Sequence, residues 1–316
     1  MTAAGKPAAP LASVAEREDR LFERWRVASA ARVTRALERK FARLRAGAAP
    51  EIVRLLDAME WTLLGGGKRL RPLLALAAAH AVCGDERLGM PGALAVELLH
   101  TYSLVHDDLP DMDNDSVRRG RPAVHARFGP ALGILAGDAL QSLAFEVLSE
   151  GAAPPGTPQG AAAAAGILAR AAGPLGMAGG QAEDLAFEGR DPGEEERSQM
   201  ARRKTGEMIA ASLTVGAALG GATRAGLARL RRAGLLAGEA FQIRDDLLNR
   251  EGDPQVMGKA AGSDERRGKS TLLARLGADG ARKRLDLLAL KAERLVSPFV
   301  SPRLDRMIRA LSARSF

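Results

Sequence analysis

Apolar residues recur at intervals of three and four along most of this chain, from near Leu11 through Leu21, Phe22, Trp25, Val33, Leu37 and Phe41 to a break at Gly47. That interval places apolar side chains on one face of an α-helix. A second helix is predicted over 51–64, stopped by Gly65-Gly66-Gly67, and a third from about Pro72 to Gly84. Proline suits a first turn because the amide it lacks would have no intrahelical partner there. A fourth helix is expected over 91–108, closed by Pro110, and after a densely charged loop to Pro122 another over 130–149. Further periodic stretches cover 161–172, 194–219, 225–248 and 281 to the C-terminus. The Pro, Gly and Ala of 151–160 read as a surface loop, since the same helical texture resumes beyond it. With no repeat of fixed period, the expectation is one domain over 1–316, its first 14 or so residues a loose end, folded as a large helical bundle.

Composition sharpens this to an all-α fold. Leu, Ala, Arg and Glu dominate long stretches, aromatic residues are 3% of the chain, and alternating β-branched runs are nearly absent. The 46 Lys and Arg against 38 Asp and Glu leave a net charge of +8, which would suit nucleic acid, an anionic membrane or a phosphorylated substrate. Most of the arginines are scattered along helices and read as solvated faces, and base-stacking aromatics are scarce, so nucleic acid is not expected. The lone Cys83 allows neither an intramolecular disulfide nor a cysteine cluster for zinc, which points to a reducing, cytoplasmic setting. No secretion segment is read at the N-terminus, and the longest apolar runs, 73–83 and 208–222, fall short of the roughly 20 residues of a membrane-spanning helix, so no membrane role is expected.

The chemistry starts at His106-Asp107-Asp108-Leu109-Pro110-Asp111-Met112-Asp113-Asn114-Asp115. Carboxylates at a helix C-terminus face the negative end of the macrodipole and repel one another, so a cation should accompany them. Mg²⁺ fits, because it binds through one or two carboxylates and shares its other positions with water and phosphates. On an ideal helix Asp107 and Asp111 share a face, and Asp113 does not. Pro110 should distort the helix, however, and let Asp113 swing back towards Asp107. A second cluster, Phe241-Gln242-Ile243-Arg244-Asp245-Asp246-Leu247-Leu248-Asn249, sets Asp245 and Asn249 one turn apart. Taken alone it reads equally well as a solvated face; opposite the first cluster it suggests a multi-metal clamp for a diphosphate. The uncharged Asn249 should hold its ion less tightly than a carboxylate.

Gly65-Gly66-Gly67-Lys68-Arg69-Leu70-Arg71-Pro72 joins a turn to a helix start, where backbone amides and the cations Lys68 and Arg71 make an anion site. It lacks the spacing of a Walker loop. A second basic group, Arg118-Arg119-Gly120-Arg121-Pro122, follows the acidic loop, and Lys204-Thr205, Lys259 and Lys269 recur in polar breaks.

In order along the chain, the segments 65–72, 98–122, 180–184, 204–206 and 241–249 resemble the signature blocks of trans-isoprenyl diphosphate synthases, most nearly those of bacterial farnesyl and geranylgeranyl diphosphate synthases. The resemblance implies a single bundle of the isoprenoid synthase type with a central cavity. It implies three Mg²⁺ ions, two on Asp107, Asp108 and Asp113 and one on Asp245 and Asn249. It also implies a catalytic Lys204 and an allylic diphosphate held by Arg118, Lys204, Thr205, Gln242, Lys259 and Lys269. Isopentenyl diphosphate would sit on Lys68, Arg71, His100 and Arg119. His100 depends on the resemblance, since a lone histidine on an apolar helix is more often a core residue. The reaction implied is ionisation of an allylic diphosphate, dimethylallyl or geranyl, attack by the isopentenyl double bond and loss of a proton, in a homodimer. Tyr102 and Ser103 lie one turn back from Asp107, where a bulky side chain would floor the cavity. In the family an aromatic residue here goes with a farnesyl-length product. The alternatives are a geranylgeranyl synthase, a non-catalytic partner subunit of such a synthase, and a terpene cyclase, which would lack the isopentenyl site. The chain departs from the family pattern at Asn249, Asn114 and Ser116.

Overall fold

The computed structural model describes residues 14–153, 155–190, 192–251 and 272–312. Thirteen α-helices carry the described fold: α1 (Val14–Arg45), α2 (Pro50–Leu63), α3 (Leu70–Cys83), α4 (Met90–Asp107), α5 (Val124–Phe128), α6 (Pro130–Glu150), α7 (Pro158–Ala172), α8 (Met177–Ala186), α9 (Glu194–Ala201), α10 (Glu207–Leu219), α11 (Arg224–Glu251), α12 (Leu272–Val296) and α13 (Pro302–Ser312). The fold is all-α; its strands among the described residues are β1 (Val117–Arg118) and β2 (Arg121–Pro122), which form one antiparallel hairpin.

Helices α3, α4 and α10 are apolar nearly all round and lie at the centre of the bundle, whereas the outer helices bury a single stripe. Helix α4 packs on α3, α6 and α10; α10 in turn packs on α3, α7 and α11. Leu73, Leu74, Leu76, Leu98, Leu99, Leu140, Leu168 and Met208 fill the space between them. A smaller cluster of Ala240, Ile243, Leu247, Ala281 and Leu288 joins α11 to α12.

Several boundaries differ from the sequence expectation. Helix α7 starts three residues early because Thr157 caps it, its hydroxyl accepting from the Gly160 amide at 3.0 Å, with Pro158 in the first turn. The stretch expected as one helix over 194–219 holds a π-helical turn at Arg202–Gly206. The C-terminal helix breaks at Ser297–Phe299, where Pro298 removes an amide, and restarts as α13. Helix α8 was not expected: the glycines of 173–180 weaken any helical signal. The expectation on apolar length is also corrected. Two helical stretches, Pro130–Glu150 and Pro158–Ala186, are long and apolar enough to cross a membrane by length and composition alone. The core helix of a globular bundle passes the same test, and α6 packs on α4 and α2.

Candidate active site

The last turns of α4 set the first acidic cluster. After Asp107 the helix unwinds: the Leu109 amide bonds to the His106 carbonyl at 3.1 Å, and the Asp113 amide folds back onto the Asp107 carbonyl at 2.8 Å. Asp113 thereby returns beside Asp107, while Asp111 points to solvent. Asn114 takes φ 51°, a left-handed conformation that Asn tolerates better than most residues. That backbone demand gives a structural reason for one departure from the family pattern.

Each acid has a different partner. Asp107 accepts from Gln181 Nε2 of α8 at 2.5 Å. Buried Asp108 is gripped by Arg118, whose Nε lies 3.0 Å from Oδ1. Burial pushes the Asp107 carboxyl above its ordinary pKa, and Asp113 adds to this, while Lys204, Gln181 and Arg118 oppose it. Lys204 extends from the π-helical turn to Asp184 at 2.8 Å. Burial works against its charge, but Asp107 and Asp184 outweigh burial and hold its pKa above the ordinary value. The turn lies hard against α8: a Cβ on Gly180 would come within 2.4 Å of the Lys204 amide nitrogen, so only glycine fits there.

The π-helical turn also links the two clusters. Thr205 Oγ1 lies 3.4 Å from Gln242 Oε1 on α11, and Gln242 Nε2 donates to Asp246 at 3.0 Å. On the same helix Asp245 meets Arg244 at 3.3 Å. Its carboxyl is also raised by burial, with Arg244, Arg71 and Lys68 opposing. Asp245 therefore lies within electrostatic reach of the basic segment at the start of α3. Arg71 lies there deep enough for burial to lower its pKa to about 10, an effect that Arg119 adds to and Glu97 and Asp245 resist. His100 keeps a little accessible surface but is enclosed; burial and then Arg71, Arg119, Arg118 and Arg69 hold its pKa well below the usual value, so it is neutral near pH 7. Arg119 Nη1 donates to the Gly66 carbonyl at 2.5 Å, and Lys68 is exposed at the rim. Tyr102 is buried one turn back from Asp107, its ring edge-on to His106 at 5.6 Å. Ser103 donates to the His100 carbonyl at 2.8 Å.

The sequence-predicted residues fall into three neighbouring groups: Asp107, Asp108, Asp113, Arg118 and Lys204; Lys68, Arg71, His100 and Arg119; Thr205, Gln242 and Asp245. Lys259 and Lys269 lie outside the described residues, and of Asn249 only the helical backbone is described. Sequence reasoning missed Glu97, which bonds Arg69 at 2.6 Å with both side chains only 4% exposed. It also gave no role to Gln181 or Asp184, although both stand in a block singled out for its order. Among the described residues no three His, Cys, Asp or Glu side chains converge as a ready-made metal cage. Two separated carboxylates, each desolvated without full neutralisation, fit a cation that takes its remaining ligands from a phosphate.

An all-α bundle that carries two desolvated carboxylates, each beside basic residues, is an architecture of the isoprenoid synthase type. Residues 53–293 match the family model for polyprenyl synthetases. The chain is 44% identical over 232 residues to a farnesyl diphosphate synthase of Geobacillus stearothermophilus, covering 73% of this chain and 78% of that protein. It superposes on an FPP/GFPP synthase of Zymomonas mobilis with a TM-score of 0.78 at 36% identity, over 94% of this chain and 100% of that one. It also superposes on a geranyltransferase of Helicobacter pylori, determined with magnesium and isoprenyl diphosphate, with a TM-score of 0.71 at 32% identity, over 81% and 86% of the two chains. The chain belongs to the polyprenyl synthetase family, whose members are magnesium-dependent prenyltransferases.

Proposed function

We propose that this chain condenses dimethylallyl or geranyl diphosphate with isopentenyl diphosphate and releases mainly farnesyl diphosphate. The observation that carries this reading is a pair of desolvated carboxylates set among cations: Lys204 and Arg118 act on Asp107, and Arg71 and Lys68 act on Asp245. Mg²⁺, when bound, supplies the positive charge that an allylic diphosphate needs in order to leave. Asp107, Asp108 and Asp113 would hold two ions, and Asp245 with Asn249 a third.

The remaining work belongs to the side chains. Lys204, Arg118, Thr205 and Gln242, with Lys259 and Lys269, bind the allylic diphosphate and stabilise the charge that grows on it. Lys68, Arg71 and Arg119 bind the second diphosphate, and neutral His100 donates a hydrogen bond without adding to a wall already rich in charge. Apolar α4 and Tyr102 keep water from the allylic cation and bound the space for its tail. We read the chain as one domain that acts on small diphosphates rather than on nucleic acid or at a membrane, in the cytoplasm. The exposed Ile134 and Leu135 near the start of α6 would give a homodimer an apolar contact there.

The deciding experiment incubates the purified chain with geranyl diphosphate, isopentenyl diphosphate and Mg²⁺ and measures product length. A C15 diphosphate is expected. C20 as the main product points to a geranylgeranyl synthase, and no condensation overturns the enzymatic reading in favour of a partner subunit.

A further inference from the structure

The two segments read above as the isopentenyl diphosphate site come from distant parts of the chain. Lys68 and Arg71 follow α2, and Arg119 stands at the tip of the β1–β2 hairpin. At that tip Arg119 and Gly120 both have positive φ, 53° and 72°, as a two-residue hairpin turn requires. A two-stranded hairpin is marginal by itself, so something must hold it in place.

Trp61, at the end of α2, is bonded to it on several sides. Its indole Nε1 donates to the Pro122 carbonyl at 2.8 Å, and the Arg121 guanidinium lies 3.4 Å from its ring centroid. Arg121 Nη1 reaches back to the Trp61 carbonyl at 3.4 Å. Arg127 of α5 lies over the same indole at 3.6 Å, and Phe128 meets it edge-on at 6.3 Å. Indole is the aromatic side chain that best attracts a cation, and here it holds two guanidinium groups that would otherwise repel one another. The seam is tight. A Cβ on Gly65 would come within 2.6 Å of the Trp61 carbonyl and 2.8 Å of Arg121 Nη1, so the first glycine of the basic loop is also what lets Arg121 in.

We propose that Trp61 is a positioning residue for the isopentenyl diphosphate site: by clamping Pro122 and Arg121 it fixes the hairpin against the 65–67 loop, so that Arg119 and Lys68 are presented together. The proposal rests on the reading of that site given above. It predicts an uneven effect. Arg118, on the same hairpin, is separately locked by buried Asp108, so the allylic side of the site does not depend on the clamp. Only the isopentenyl side does.

The test is steady-state kinetics on Trp61→Leu, Trp61→Phe and Arg121→Met, with folding checked by circular dichroism and unfolding midpoint. Loss of the ring contact and the Nε1 bond together should raise KM for isopentenyl diphosphate about tenfold, with KM for geranyl diphosphate within about twofold. Trp61→Phe, which keeps an aromatic face, should recover part of the loss. Arg121→Met, which leaves the Trp61 ring in place, decides the matter if Trp61→Leu fails to fold. Equal rises in both KM values, or no rise in a folded variant, overturn the proposal. Arg119→Gln separates the two levels. If it raises the isopentenyl KM while the clamp variants do not, only the clamp fails; if it has no effect, the site reading itself fails.

Discussion

Glu97 is the acid that allows the basic wall to fold, and its removal should expose a conflict between stability and binding. It lies on α4 among Arg69, Arg71, Arg119 and His100, and its charge supports the protonated forms of Arg71 and Arg119 against burial. Its direct partner, Arg69, is the left-handed residue before α3, with φ 53°. With both side chains 4% exposed, neither charge can turn to water when the other is lost. Deleting one member of such a buried pair costs about 3–5 kcal/mol, because an unpaired charge stays behind, whereas replacing both by apolar residues of similar size is often close to neutral. Glu97→Ala should therefore lose about 3–5 kcal/mol of unfolding free energy, read from urea titration of the ligand-free protein. The double change Arg69→Met with Glu97→Leu should recover most of it.

Binding should move the other way. From behind the wall Glu97 offsets part of the positive charge offered to a diphosphate, so any Glu97→Ala protein that folds should show a lower KM for isopentenyl diphosphate, and added diphosphate should restore much of its stability by mass action. A single variant that loses less than about 1 kcal/mol, or a double variant as damaged as the single one, would refute the reasoning, since either result means that the buried charges are not mutually dependent.

Two other expectations follow from the same geometry. Tyr102→Ala removes a buried ring one turn behind Asp107, so the product should lengthen beyond C15, as chain-length analysis would reveal; an unchanged spectrum removes Tyr102 from the cavity floor. His100 predicts a pH effect: its folded-state pKa lies below the unfolded value of about 6.5, so acidification loads a proton onto the unfolded chain first and stability falls as pH drops through that window. The raised Asp107 and Asp245 act in the opposite sense, since their folded forms take up protons first, so the measurement is the difference between wild type and His100→Gln, whose stability should decline less between pH 7 and 5. Parallel curves would show that His100 is not held neutral.

What the sequence revealed and what it concealed divide along a physical line. Residue types that chemistry requires in a local pattern were legible: the carboxylates around Pro110, the glycines before Lys68, and the apolar run of α4. The return of Asp113 to Asp107 was legible too, because a proline's effect on a helix is local. Contacts between distant segments were not. Lys68, Arg69 and Arg71 look alike in a sequence; only the left-handed turn at Arg69 and its bond to Glu97 show that this one of the three is turned inward. The π-helical turn beneath Lys204 and Thr205 adds a residue to the helix without any change in composition that would announce it.

Trp61 is the sharpest case. Its place in an amphipathic helix reads as core, and nothing local to 51–64 points to a hairpin some sixty positions away. In the sequence Gly65 stands out as a helix stop and part of a turn, yet its missing side chain is also the space that Arg121 occupies. A cationic site has to be assembled from groups that repel one another, so its frame must come from features that carry no opposing charge into the ligand's path: an indole face, a glycine gap, and one carboxylate buried behind the wall. Such features have no motif of their own. They are found by asking what keeps the visible cations together before any diphosphate arrives.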